Sequence, residues 1–216
     1  NEEKLLYFFL GRPAYRSRLS EESPETWELP TCFILDNAEG IGIKRTVPFD
    51  SGAYSDQLFP PYINAIPRAN FESSRADASQ RIISAVYGSM NNYTEGRPKS
   101  EQTLTNEFDL EITDAEILAV RKLAEDWSSP KFDDRRFSIE IQSSSIINFE
   151  QKPSSAIILP TPYLDDVKIL ENIIKWEAEI LNYDIYSLSI QMYHGIIFEK
   201  FVNYCKSKWF LPWLFV

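Results

Sequence analysis

The stretch Lys131 to Gln142, KFDDRRFSIEIQ, does more than any other to limit what this chain can fold into. Phe137, Ile139 and Ile141 alternate with Ser138, Glu140 and Gln142, the period-two pattern of a strand that buries one face. The apolar face demands a core to pack against. The other face presents a glutamate and a glutamine two residues apart, with two acids and two arginines just upstream. Such a pair either solvates an open sheet face or lines a site, and the local pattern leaves both open.

A core for that strand is within reach. With 216 residues, 44% of them hydrophobic, the chain is expected to form a single domain over 1–216, its residues 160–216 a helical portion packed on the core or on a partner. The formal net charge of −10 speaks against sequence-independent nucleic-acid binding over the whole surface, which draws on clustered lysines and arginines. Cys32 and Cys205 lie far apart and lack metal spacing, and His194 is the single histidine. Free thiols in a cytoplasmic protein and no metal are therefore expected. No run of about 18 apolar residues offers a membrane span. Leu5 to Leu10 is short and preceded by acids, unlike a signal peptide, and part of the natural N-terminus is expected upstream of Asn1.

In chain order, Leu5 to Leu10 (LLYFFL) reads as a buried strand that delivers Arg12 to a Gly-Arg-Pro turn. Tyr15, Arg16 and Arg18 follow. These arginines either hold a phosphate, for which the guanidinium fork is suited, or form a basic loop paired to Glu21, Glu22 and Glu25. Cys32 to Val47 reads as a hairpin. At Pro48 to Tyr54, Asp50 and Ser51 either orient a ribose or cap a helix. Glu72 to Tyr87 is helical in pattern, stopping at Gly88, with Ala76, Ile82, Ile83, Val86 and Tyr87 inward. Ser89 to Glu107 is polar and aperiodic, as in a mobile loop or an insertion that contacts an acceptor, and Phe108 to Ile112 reads as a short strand. Thr113 opens a capped helix that buries Ile117, Val120 and Leu123. Ala156 to Leu159 is a strongly buried strand, and Tyr163 to Leu181 a long amphipathic helix with Leu164, Val167, Leu170, Ile174 and Ile180 inward. The chain closes on KWFLPWLFV, an apolar patch expected to meet the core or a partner chain.

The succession YFFLGRPAYR, VPFDSGAY, DDRRFSIEIQ and AIILP, over roughly Tyr7 to Leu159, resembles the DarT group of ADP-ribosyltransferases. The resemblance implies an α+β fold with a split, mixed or antiparallel sheet core and flanking helices. It implies a toxin or antiphage effector that transfers ADP-ribose from NAD to a protein or nucleic-acid acceptor, with a protein partner or antitoxin at the apolar C-terminus. Carried over by position, Arg12 grips NAD, Glu140 is the catalytic glutamate and Arg136 is its basic neighbour, while Asp50, Ser51 and Tyr54 match the middle turn. The chain lacks the family's His-Thr element and places Gln142 after Glu140, the reverse of a Gln-x-Glu order.

The same residues suit that chemistry on their own terms. Departure of nicotinamide leaves positive charge on the ribose, which a fixed carboxylate such as Glu140 stabilises. It also suits a base that positions the incoming nucleophile. Arg12 and Arg16 suit the pyrophosphate, and Tyr7, Tyr15 or Tyr54 could stack on nicotinamide or simply fill the core. NAD is then consumed as a substrate. The absence of a Gly-x-Gly-x-x-Gly fingerprint and of a P-loop disfavours a dehydrogenase and an NTPase. Hydrolysis of NAD at the same site and a non-catalytic interaction scaffold are the alternatives.

Overall fold

The computed structural model describes residues 4–14, 16, 25–36, 40–111, 114–128, 133–151, 154–186 and 188–208. It is a mixed α+β chain with two three-stranded sheets, gathered into two compact units, Asn1–Leu10 with Gly42–Ser145, and Gly11–Ile41 with Ile146–Val216.

The first unit is built on β1 (Leu6–Phe9), β3 (Ile43–Val47) and β4 (Glu140–Ser143), with β4 between the other two and antiparallel to both. The expectation for β4 is half right. A strand forms, though only from Glu140, and every residue from Phe137 to Ser143 is buried, so the face carrying Glu140 and Gln142 is covered as fully as the apolar one. β1 is an outer strand of this sheet and corrects the reading of a buried run: Leu6 is 42% and Tyr7 53% exposed. An aromatic and leucine-rich run sits on an edge as readily as in a centre, since composition does not distinguish them.

Around the sheet lie short helices: α1 (Ser51–Ser55), α2 (Pro61–Asn64), α3 (Ala78–Ile82), α4 (Met90–Thr94), α5 (Glu101–Phe108) and α6 (Ala115–Glu125). The helix expected from Glu72 begins only at Ala78 and runs on as a π turn over Ile83–Tyr87. Val86 and Tyr87 are buried there, Ala76 is exposed, and the helix stops at Gly88 with φ 76°. The polar stretch after it is helical, contrary to expectation. Ser89 caps α4 and Ser100 caps α5 by accepting backbone N–H groups, but elements of five and eight residues are too short to display a helical period. Phe108 closes α5, with Asp109 left-handed behind it, so no strand begins at Phe108. In α6, Val120 and Leu123 are buried as expected and Ile117 is half-buried. Its expected cap, Thr113, lies outside the described residues.

Tyr93 of α4 ties this region to the sheet. Fully buried, its hydroxyl donates to the Leu10 carbonyl at 2.7 Å and accepts the Ile139 N–H at 3.0 Å, joining the ends of β1 and β4. Gly96, at φ 64°, lets the next turn pass the Phe137 ring, which a Cβ there would meet at 2.9 Å. Tyr93→Phe keeps the ring and removes both bonds, leaving a buried N–H and a buried carbonyl without that partner. A loss of about 1–3 kcal/mol is expected in urea unfolding, and a change below about 0.5 kcal/mol would show the hydroxyl to be dispensable.

The second unit is a sheet of β2 (Cys32–Ile34), β5 (Ala156–Pro160) and β6 (Glu179–Tyr183). The hairpin expected over Cys32 to Val47 does not form, because β2 pairs with β5 and β3 with β4. A central strand as apolar as β5, buried throughout, takes a neighbour on each side: β2 antiparallel and β6 parallel. The long helix expected over Tyr163 to Leu181 is also corrected. A 3-10 turn spans Thr161–Asp165, α7 covers only Val167–Lys175, and β6 follows. Asp166 caps α7 by accepting the N–H groups of Lys168 and Ile169, and Glu177 reverses the chain at φ 54°. Ile173 faces the core, while Val167 and Ile174 are exposed. One face of the sheet packs Ile34, Ala156 and Ile158 against α8 (Ile190–Ser207), through Tyr193, Ile197 and Phe201. The other packs Ile157 and Leu159 against Ile173 of α7. His194 is buried in α8, and burial pushes both cysteine thiols up to about 12. Among the described residues no helix is long and apolar enough to cross a membrane. The apolar C-terminal run from Trp209 lies outside the described residues.

Candidate functional site

Directly opposed residues in antiparallel strands share a sheet face. Register therefore decides which side chains in the first unit can cooperate. Phe9 and Val47 flank Glu140, and Tyr7 and Arg45 flank Gln142. One face thus carries a carboxylate, an amide, an arginine and an exposed tyrosine within two rungs.

Glu140 is 1% exposed. Its Oε1 accepts the Ser51 hydroxyl at 2.7 Å and the Gln142 side-chain N–H, and its Oε2 accepts the Ser51 backbone N–H at 3.0 Å. Ser51 reaches it because β3 ends at Val47 and the chain turns into α1, whose cap is Asp50. The first N–H groups of a helix have no partner inside it. Asp50 takes that of Ala53 at 2.7 Å, and Glu140 takes that of Ser51. Of the two uses open to this turn, Asp50 is seen in the capping one, while Ser51 does what neither foresaw and binds a carboxylate.

Burial pushes the Glu140 carboxyl above its ordinary range, opposed by the bonds from Gln142 and Ser51 and reinforced by the charge of Asp50. Burial raises Asp50 as well, against the Ala53 N–H and the nearby Arg135 guanidinium. Two carboxyls on either side of Ser51 are therefore both harder to ionise than ordinary ones. That is the electrostatic setting of many working carboxylates, and also of buried structural ones.

Gln142, 1% exposed, extends the cluster outward. Its Nε2 also donates to the Ser51 hydroxyl at 3.1 Å, and its Oε1 accepts the Nε–H of Arg45. Arg45 lies 3.7 Å from Glu72, which takes the Arg68 guanidinium at 2.8 Å. Reading the sequence missed Arg45. Its sole signal was a basic residue in a β-branched run, and only the pairing with β4 brings it to Gln142.

The remaining candidates divide. Tyr54 stacks on Phe49 at 5.9 Å and donates to the Ile66 carbonyl at 2.8 Å, a packing role. Arg136, fully buried, lies over the Trp127 ring at 3.6 Å and donates to the carbonyls of Ala124 and Asp133, a structural role. Arg12 and Arg16 belong to the second unit. The Arg12 guanidinium sits 5.1 Å from the Phe198 ring centroid, and Arg16 donates to the Pro13 carbonyl at 3.3 Å. Tyr15 lies outside the described residues. No family model, curated protein or solved structure matches the chain.

Proposed function

We propose that the chain is an NAD-dependent ADP-ribosyltransferase in which Glu140 is the catalytic carboxylate, with a fold of the ADP-ribosyltransferase type. The observation that carries this reading is Glu140 itself: a carboxylate on a central strand, both oxygens fixed by Ser51 and Gln142, on the sheet face that also bears the exposed ring of Tyr7. The resemblance supplies NAD as the substrate.

In the reaction the bond between the anomeric carbon and the nicotinamide nitrogen breaks, and its electron pair leaves with nicotinamide. Positive charge develops on the ribose. A carboxylate already held by donors needs no reorganisation to meet that charge, which makes it effective there. A nucleophilic atom of the acceptor then bonds to the anomeric carbon, and its proton passes to Glu140 or to water. The exposed Tyr7 ring offers a stacking surface for a flat group beside Gln142.

The near-complete burial of Glu140 favours a second reading of the same site, hydrolysis, since water reaches a recessed carboxylate more easily than a macromolecule does. Incubation with NAD labelled in the adenine portion, with and without cell extract, separates the two. Transfer puts label on a macromolecular fraction, whereas hydrolysis leaves it on free ADP-ribose and proceeds equally without extract. If neither occurs, Glu140 is a structural carboxylate in an interaction scaffold.

The ionised form of Glu140 is the one that stabilises the sugar cation. Because its pKa is raised from 4.5, kcat/KM for NAD is expected to fall on the acid side at a pH above that of an ordinary carboxylate. A profile flat down to about pH 4 would remove ionised Glu140 from the rate-limiting step.

A further inference from the structure

Gln142 touches Glu140 with its NH2 edge, and what turns that edge toward the carboxylate lies on the next strand. Thr46 and Val47 pair in regular register with Ile141 and Glu140, and the register continues to Arg45 opposite Gln142 before shifting between Ile43 and Arg45. The bulge thus falls just beyond the site. Bulges end or re-aim pairing, and this one leaves Arg45 on the face of Gln142.

A guanidinium carries donors only, and an ionised carboxylate acceptors only. The amide of Gln142 stands between one of each. Its Oε1 accepts the Nε–H of Arg45, which leaves Nε2 for Glu140 and for the Ser51 hydroxyl. A reversed amide would set N–H against N–H on one side and C=O against carboxylate on the other, in a place where Gln142 is 1% exposed. Arg45 is itself held from outside by Glu72, at 3.7 Å, and both side chains are about one-fifth exposed.

We propose that Arg45 is a positioning residue for Glu140: by binding the Gln142 side-chain oxygen it fixes the direction of that amide and thereby supplies the carboxylate with a donor. The catalytic importance of this role rests on the reading of Glu140 given above, but the role itself does not require turnover. Among the described residues, the charged groups about Glu140 include Asp50 at the cap of α1, with Arg135 and Asp133 beside that aspartate, and Arg45 beyond Gln142 on β3. Arg45 therefore has two ways to influence Glu140, through its charge or through the amide. The experiment must separate them.

Glutamate labelled at the side-chain carboxyl carbon gives a titration for Glu140 by NMR, its resonance assigned by its loss in Glu140→Gln. Arg45→Met and Gln142→Ala are each expected to raise the midpoint by about half to one pH unit. The double variant is expected to match Gln142→Ala alone, because the intermediary is gone. Arg45→Lys, which keeps a donor and the charge, is expected to restore most of the wild-type midpoint. Full additivity of the two changes would mean that Arg45 acts by charge alone and overturns the proposal, as would an unmoved midpoint in Arg45→Met. Arg45→Leu, which likewise removes both donor and charge, carries the same cycle if the methionine variant does not fold. NAD turnover is read separately: a coupled cycle in a protein inert toward NAD removes the enzymatic reading and keeps the positioning role, whereas turnover with additive midpoints does the reverse.

Discussion

Glu140→Gln is expected to lower NAD turnover by about 100- to 10,000-fold while the far-UV circular dichroism remains that of the wild type. The substitution preserves size and removes the charge that meets the sugar cation in the proposed reaction. It also disturbs one hydrogen bond. Oε2 accepts the Ser51 N–H, and Oε1 accepts the Ser51 hydroxyl and the Gln142 amide, so an amide in this place must aim its NH2 at a donor. The resulting cost of about 1–2 kcal/mol is partly offset at neutral pH, where an ionised buried carboxylate is itself unfavourable. The sign follows from linkage: with the folded pKa raised from 4.5, the contribution of Glu140 to stability is full below its unfolded pKa and is lost as pH rises through the folded one. Glu140→Gln should flatten that decline in urea titrations carried upward from about pH 4. Full turnover in the variant would exclude Glu140 from catalysis, and a collapsed spectrum would make it a structural residue first.

How far the site could be read from the residues depends on which contacts local pattern encodes. The later half of the alternation, from Glu140, and the apolar run of Ala156 to Leu159 both become strands, because strand period and continuous apolarity are properties of the segment itself. Gly88 ends its helix at a positive φ, as a residue without a Cβ should. Pairing is a different kind of information. Nothing in Cys32 to Val47 says that β2 will leave β3 for β5, since the attraction lies in a segment more than a hundred residues away. The same holds for Arg45 and Gln142, and for Ser51 and Glu140, whose contacts span 97 and 89 positions.

Burial was hidden for a related reason. A polar residue on a strand is ordinarily taken to face water, yet Ser138, Glu140 and Gln142 are all buried. Their partners supply what water would have supplied: a backbone carbonyl for Ser138, Ser51 and Gln142 for Glu140, and Arg45 for Gln142. A buried polar group is tolerable only when bonded, so polar alternation on β4 implied either solvent or a network. Arg136 shows the converse. Adjacent to the strand and basic, it gives no sign in the sequence of the carbonyls and ring it meets.

Arg136→Met is expected to destabilise the protein by about 3 kcal/mol, more than Tyr93→Phe. Arg136 is among the largest fully buried side chains, and two carbonyls and two rings meet on its guanidinium. Nε donates at 3.3 Å to the carbonyl of Ala124, in the last turn of α6, and Nη1 donates at 2.8 Å to that of Asp133. The carbonyls of a last helical turn lack partners within the helix and lie at its negative end, so a cation there is favoured twice. The ring of Trp127 lies 3.6 Å from the guanidinium and that of Phe137 at 5.0 Å. Methionine fills much of the volume but donates to neither carbonyl and offers the rings no charge. The effect should reach the site through one bond, because the carbonyl of Arg135 accepts the Asp50 N–H at 3.0 Å, immediately before Ser51. Urea unfolding measures the loss. Trp127→Ala, which removes a ring 73% exposed and leaves both carbonyl bonds, is expected to cost about 1 kcal/mol. Equal losses for the two variants would place the stabilisation in the ring contact and refute the role given to the carbonyls.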